Sequence, residues 1–256
     1  MVKESQLSER LRDKRAIVTG GSRGIGAAIA EAFVMEGASV AIIHSNDHVR
    51  AEQTLAMLKE VDEKCLVLDC DISDPQQVRN GFDVVQSQFG RIDILVNCAA
   101  VGGGSRFEDA TLDDWNRVLG VNLTGAFLMS RSCYPTMKKN KWGRIINISS
   151  QWAFSGGFEA AAYCASKAGL IGLTRSLAVE AAPFGVLVNC IAPGATLTDA
   201  LRSCTPEYLA RLLPKIPLGR FGMPEEIAPT AVLLASEAGA YYVGQTLSPN
   251  GGDVLR

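Results

Sequence analysis

Tyr163 and Lys167 stand four residues apart at the start of an alanine-rich stretch, so on a helix their side chains share one face. That arrangement sets a proton donor beside a cation. An unperturbed phenol titrates near pH 10, and each unit of depression corresponds to ~1.4 kcal/mol of preference for the phenolate. A neighbouring ammonium is the means by which Tyr163 would exchange protons near neutral pH. Taken alone, Tyr-x3-Lys is common surface decoration. Two further polar residues accompany it: Ser150, thirteen residues upstream and just past the apolar run Ile145 to Ile148, and Asn122, in Val121-Asn122-Leu123.

A second cluster has different chemistry. Thr19-Gly20-Gly21-Ser22-Arg23-Gly24-Ile25-Gly26 places glycines as G-x3-G-x-G between the apolar run Arg15 to Thr19 and a segment with Ile25, Ile29 and Phe33 at helical spacing. Small residues let the backbone approach a pyrophosphate there, and the free N–H groups and positive end of the helix stabilise its charge. The alternative is an ordinary glycine turn packing a helix on a strand; placement in a strand-turn-helix unit favours the cradle. In dinucleotide folds an acid at the end of the second strand binds the adenosine ribose hydroxyls and excludes a 2′-phosphate. His44 holds that place here, followed by Ser45 and Asn46. With no carboxylate to repel it, a 2′-phosphate could be met by the paired donors of Arg23 and by Ser45, Asn46 and Arg50. NADP(H) is therefore the expected cofactor and NAD(H) the alternative. Asp71, beside Ile72, could accept from the adenine amino group or cap a helix. Asn97-Cys98-Ala99-Ala100 supplies small residues against which a flat ring can lie.

These clusters need a frame. Apolar runs at 15–19, 39–43, 65–68, 92–96, 143–148, 186–188 and 245–247 predict strands. Between them fall helical patterns: one with Leu55 and Leu58, one after Asp74-Pro75 with Val78, Phe82, Val85 and Phe89, a long one over 111–139, one over 161–181, and one with Ile227, Ala231 and Leu234. Strands that read as continuous Val/Ile/Leu runs are buried on both faces. The sequence therefore predicts a single-domain, doubly wound α/β (Rossmann) fold over residues 1–256, with a parallel sheet flanked by helices. Ligands of such sheets bind beyond the carboxyl ends of the strands, where both clusters fall.

Composition narrows the function further. Of 256 residues, 47% are hydrophobic and 20% charged, enough for a large core and incompatible with a disordered chain. Twenty-five Lys+Arg against 27 Asp+Glu give a net charge of −2, so no polybasic surface is expected to hold nucleic acid. The start, Met1 to Arg10, lacks the apolar run of a signal peptide, and no apolar run approaches the roughly 18 to 20 residues that span a bilayer. A cytoplasmic protein without membrane partners is expected. The seven cysteines are odd in number and scattered without C-x-x-C, which reads as reduced thiols. His44 and His48 would share a helix face as in some metal sites, but no third ligand accompanies them; no metal is expected.

The whole set, Thr-Gly-x3-Gly-x-Gly, Asn-x-Ala, Asn122, Ser150, Tyr163-x3-Lys167 and Pro193-Gly194, resembles the short-chain dehydrogenase/reductase family across nearly the whole chain. The resemblance implies an oxidoreductase interconverting a ketone and a secondary alcohol. Tyr163 would be general acid in reduction and base in oxidation, and Lys167 would also bind the nicotinamide ribose. Ser150 would stabilise the substrate oxygen, and Asn122 would hold a water connecting Lys167 to solvent. Pro193, Gly194 and the segment from Thr196 to Thr198 would contact the nicotinamide. Departures are Cys98 and Ala100 within Asn-Asn-Ala-Gly, Thr196 in place of a frequent isoleucine, Leu187 in place of an arginine, and Pro249-Asn250 ahead of Gly251-Gly252. None touches the proton machinery.

Gln151, Trp152 and Phe154 are expected to form a pocket wall, with the segment up to Pro217 as a mobile lid and Arg106 and Glu108 as further polar contacts. Such a wall suits an alicyclic, aromatic or acyl ketone, though the same aromatics would equally pack a core or an interface. Gly20-Gly21-Ser22-Arg23-Gly24-Ile25-Gly26 and Pro217-Leu218-Gly219-Arg220 are similar to the 3-oxoacyl-acyl carrier protein reductase subgroup but are shared with many sugar, polyol and secondary-metabolite dehydrogenases, so they fix chemistry and not substrate; Lys138-Lys139-Asn140-Lys141 is either a carrier patch or a solvated helix end. Leu170, Leu173 and Leu177, with Ala165, suggest an apolar face on the helix from 161, and a homotetramer is expected. A non-catalytic dinucleotide-binding module is the competing class; loss of the tyrosine or lysine would favour it, and both are present.

Overall fold

The computed structural model describes residues 9–255; residues 1–8, where no signal peptide is expected, lie outside them. Among the described residues seven strands form one sheet: β1 (Arg15–Thr19), β2 (Ser39–His44), β3 (Leu66–Asp69), β4 (Ile94–Asn97), β5 (Gly143–Ile148), β6 (Val186–Ile191) and β7 (Thr246–Leu247). Their order is β3-β2-β1-β4-β5-β6-β7 and every pairing is parallel. The chain builds outward from β1 to β3, then returns to pair β4 with β1, so the order reverses between β1 and β4. The crevice at that switch point lies beside the glycine cradle.

The described residues form ten α-helices: α1 (Gly24–Met35), α2 (His48–Lys59), α3 (Pro75–Phe89), α4 (Leu112–Leu119), α5 (Ala126–Asn140), α6 (Trp152–Ser155), α7 (Ala161–Ala181), α8 (Asp199–Arg202), α9 (Pro206–Leu212) and α10 (Pro224–Ala235). Alternate residues of one strand face opposite layers. Ala16 and Val18 of β1 join Ile29, Phe33, Ile227 and Ala231 on one side. Ile17 joins Val78, Val85, Met129 and Met137 on the other. This two-sided burial explains why the strands read as unbroken apolar runs. Asp74 starts α3 as expected: its carboxylate accepts from the N–H groups of Gln76 and Gln77, with Pro75 in the first turn.

Several expectations need correcting. The stretch predicted over 111–139 is not one regular helix, because the wider π-type turn Gly120–Gly125 separates α4 from α5. β4 begins at Ile94 rather than at 92, and Asp93 is buried just before it, its carboxylate accepting from Arg15 N and Arg91 Nε. His44 and His48 do not share a helix. His44 ends β2, Asn46 turns the chain at φ 60°, and His48 opens α2, leaving the rings edge-on at 5.1 Å. Among the described residues all seven cysteines are free, and no helix is long and apolar enough to cross a membrane.

Candidate active site

The cradle is glycine-rich because the backbone is crowded there. Gly20 adopts φ +67°, and a Cβ on it would lie 2.7 Å from Ala99 Cα. A Cβ on Gly26 would lie 2.2 Å from the Gly20 carbonyl oxygen. The Thr19 hydroxyl accepts from the N–H groups of Cys98 and Ala99 at 3.0 and 3.1 Å, tying the cradle to the end of β4. From sequence Thr19 opens the cradle motif and ends a strand, and its side chain carried no expected role.

Beyond the carboxyl ends of β1 to β4 runs a groove of about 880 Å³. Gly20, Ser22, Arg23, Gly24, Ile25 and Gly26 line it from the cradle, His44, Ser45 and Asn46 from the end of β2, Asp71 and Ile72 from beyond β3, Ala99 from β4, and Thr198 from the opposite wall. A dinucleotide fits this donor set: a cradle with no room for side chains, the N-terminus of α1, and arginine at one end. His44 is buried and its Nδ1 accepts from Asp47 N at 3.3 Å. Asp71 Oδ1 is engaged by the Ser73 N–H and hydroxyl, at 2.9 and 2.7 Å. Asp47 and Asp199, absent from the sequence-based candidates, lie against Arg23 at 3.5 and 3.8 Å.

Four expected cofactor contacts, Asn97, Thr196, Pro193 and Lys167, line neither this groove nor the cavity beside it. Asn97 is buried, and its side-chain amide donates to Asn147 Oδ1 at 2.8 Å and Ser130 Oγ at 3.1 Å, joining β4 to β5 and α5. Thr196 is buried in a bridge with Gly222, its hydroxyl donating to the Gly194 carbonyl. Pro193 presents its carbonyl to Gln151 N at 3.0 Å. Gly194 itself lines the neighbouring cavity.

That cavity, about 410 Å³, shares Ala100, Val101, Thr198 and Ala200 with the groove and contains Ser150 and Tyr163. Tyr163 lies in the first turn of α7 and Lys167 one turn on, its Nζ 5.7 Å from the phenol ring centroid. Burial pushes Tyr163 up from the ordinary phenol value, and the Ser150 hydroxyl opposes that shift. Burial pushes Lys167 down to about 8. Asn122 sits in the π-type turn. Its amide group donates to Val101 O and Ser166 Oγ, while its oxygen accepts from Val101 N at 2.8 Å. Ser166 in turn donates to the Tyr163 carbonyl at 2.7 Å, so Asn122 and Tyr163 are linked through one hydroxyl.

Trp152 lines the cavity and meets Tyr163 edge-on at 6.0 Å. Gln151 lines it with a buried side chain whose Nε2 donates to Asp253. Phe154 does not line it. Arg106 and Glu108 do not either; they pair with each other on the exposed segment before α4. The segment between Gly194 and Pro217, expected from sequence as a lid carrying Leu197, Leu201, Tyr208 and Leu212, supplies Leu201, Tyr208 and Leu212 together with Cys204. Lys139 borders a pocket with Lys14 and Asp93, which precede β1 and β4. It therefore lies at the amino edge of the sheet, opposite the mouth where a carrier patch was expected.

The enoyl-(acyl carrier protein) reductase family model matches residues 20–253. The 3-oxoacyl-acyl-carrier-protein reductase of Aquifex aeolicus (strain VF5) is 39% identical over 247 residues, covering 95% of this chain and 98% of the relative. The acetoacetyl-CoA reductase of Rhizobium meliloti (strain 1021) is 40% identical over 238 residues, covering 93% and 97%. The 3-oxoacyl-acyl-carrier-protein reductase of Salmonella typhimurium is 38% identical over 239 residues, covering 93% and 96%. These matches run from the glycine cradle past the lid, so they embrace the groove and the cavity together. The chain belongs to the short-chain dehydrogenase/reductase family and is an oxidoreductase acting between CH–OH and C=O groups.

Proposed function

We propose that this protein is an NADP(H)-dependent ketoreductase in which Tyr163 is the general acid of carbonyl reduction and the general base of alcohol oxidation. The observation that carries the reading is that Tyr163 and Ser150 face one cavity which opens into the dinucleotide groove through Ala100, Val101, Thr198 and Ala200. The nicotinamide cofactor, when bound, supplies or accepts the hydride. Ser150 donates to the substrate oxygen and stabilises charge that develops on it. Tyr163, held as the neutral phenol by burial, gives that oxygen its proton. Lys167 keeps a positive charge near the phenol and binds the ribose hydroxyls; Asn122 holds the water that connects it to solvent. Asn122 also fixes Val101, part of the wall between groove and cavity.

Val101, Trp152, Leu201, Tyr208 and Leu212 give the cavity an apolar wall suited to acyl, alicyclic or aromatic ketones. The relatives named for 3-oxoacyl and acetoacetyl thioesters support an acyl ketone first. A cytoplasmic homotetramer acting on a small-molecule carbonyl or alcohol completes the reading, with the chain working as one domain. NAD(H) is the second reading for the cofactor, favoured by the carboxylates of Asp47 and Asp199 beside Arg23. The deciding experiment follows nicotinamide absorbance across a panel of ketones and secondary alcohols with both cofactors. Turnover with NADPH and 3-oxoacyl thioesters is expected, whereas absence of turnover on every carbonyl would leave a non-catalytic binding module.

A further inference from the structure

Four charged side chains converge at the end of the groove where His44, Ser45 and Asn46 lie. Asp47, just before α2, is built into that wall. Its Oδ2 accepts from the Ser22 hydroxyl at 3.1 Å and lies 3.5 Å from Arg23 Nε, and its Oδ1 lies 3.8 Å from Arg50 Nη1. Each guanidinium thus approaches Asp47 with one nitrogen and Asp199 with a second. Both reach the same atom: Asp199 Oδ2 lies 3.8 Å from Arg23 Nη1 and 3.3 Å from Arg50 Nη2. Asp199 comes from the opposite wall as the first residue of α8. The residue before it packs on the cradle, since a Cβ on Gly24 would lie 3.1 Å from Thr198 Cγ2. A single carboxylate oxygen thus bridges two guanidiniums and ties the start of the lid to the cradle.

We propose that the Asp199 carboxylate is a tethered stand-in for the 2′-phosphate of the dinucleotide, occupying the Arg23 and Arg50 site in the free protein and releasing the 198–203 segment when that phosphate displaces it. The proposal rests on the NADP(H) reading. A phosphate offers more negative charge and more acceptor oxygens than a carboxylate, so it competes well for two forked donors. Asp199 is a displaceable competitor because its side chain and those of both arginines are about half exposed (48%, 55% and 49%), where ion pairs are weak and salt-screened. Asp47 stays in place, being four-fifths buried and bonded to Ser22 as well. A dinucleotide without the 2′-phosphate brings no anion to this point and leaves the bridge closed. Phosphate binding and lid release are then linked, each favouring the other by the same factor.

Calorimetric titration of the free protein with adenosine 2′,5′-bisphosphate and with 5′-AMP isolates the phosphate from the redox chemistry. Asp199→Asn is expected to tighten the bisphosphate about 2- to 10-fold, the range of one or two exposed ion pairs, and to leave 5′-AMP within about two-fold. Asp199→Glu, which restores the charge, should return towards the unmodified affinity. In parallel, the bisphosphate should accelerate tryptic cleavage after Arg202 in the unmodified protein, and 5′-AMP should not. Unchanged or weaker bisphosphate binding by Asp199→Asn overturns the proposal. So does tighter binding without any effect of the bisphosphate on cleavage, which would be a general charge effect. If the unmodified protein prefers the bisphosphate and Asp199→Asn changes nothing, the cofactor reading stands and the stand-in falls. If neither protein prefers the bisphosphate, both fall.

Discussion

Lys167 donates from Nζ to the carbonyl oxygen of Ile148 at 2.7 Å. The contact ties the lysine of α7 to the end of β5, the strand that leads into Ser150, so cation, phenol and hydroxyl are fixed to one strand-helix junction. Tyr163→Phe removes the transferable proton and leaves this junction intact. Turnover should fall by at least ~10²-fold while NADPH affinity, measured by fluorescence titration, changes little. Lys167→Ala should lower both if, as proposed, one side chain assists the phenol and binds the ribose. Retention of more than a few per cent of activity by Tyr163→Phe would mean another group is the acid.

Burial holds Lys167 near 8 against an ordinary 10.5. Between those values the unfolded chain binds the proton and the folded chain does not, so this group's contribution to stability improves as pH rises through the window. Below about 8 the full cost is present, on the order of 3 kcal/mol. Lys167→Met should therefore flatten the pH dependence of unfolding between about 8 and 10, as denaturant melts at several pH values would record. Parallel curves for the two proteins would contradict a buried, depressed lysine.

Arg23→Ala should remove most of the preference for NADPH over NADH. A charge-assisted hydrogen bond contributes about 1.5–3 kcal/mol, or about 10- to 150-fold. His44→Asp should move the ratio of kcat/KM values further towards NADH by placing a carboxylate at the end of β2. Equal or better kcat/KM with NADH in the unmodified protein would reject the cofactor assignment.

Gly26→Ala should lower stability by about 1–3 kcal/mol, because its Cβ would overlap the Gly20 carbonyl oxygen at 2.2 Å. Dinucleotide binding should weaken with it. Gly90→Ala, whose added Cβ meets nothing within 4 Å, isolates the cost of the left-handed backbone (φ +73°) from that of crowding. Thermal melts of the two variants, with and without NADPH, separate the contributions.

Assembly has its own test on α7. Leu170 is buried within the subunit, so it is not part of a free apolar face as the spacing suggested. The exposed residues of α7 are Ala165, which the spacing did place on that face, together with Ala168, Gly172, Arg175, Ser176, Val179 and Glu180. Ala168→Glu should leave the subunit folded and reduce the sedimenting species below a tetramer. A stable monomer at micromolar concentration in the unmodified protein would remove the tetramer altogether.

What the sequence made legible was whatever depends on local pattern. Runs such as Val40 to Ile43 fix a strand buried on both faces, and the crowding around Gly20 and Gly26 explains why glycine recurs at those positions. Contacts made across the sheet left no such mark. Asn97 stood beside the expected ring site, yet its side chain turns inward because Asn147 and Ser130 offer it partners in the core. Asp47 reaches Arg23 from the turn between β2 and α2, whereas Asp199, 152 positions further on, reaches it only because the segment after Gly194 returns over the cradle.

The wide turn Gly120–Gly125 puts α4 and α5 out of phase. Each residue of an α-helix advances it by about 100°, so one extra residue within a turn rotates all that precedes it relative to all that follows. α5 is locked to the sheet through Met129, Cys133 and Met137. Losing one residue between 120 and 125 would therefore swing α4 about the common axis and withdraw Asn122 from Val101 and Ser166. Reading frame, as well as the identity of Asn122 and Gly125, is what this stretch must preserve: it should tolerate substitutions on its outer surface and scarcely any change in length.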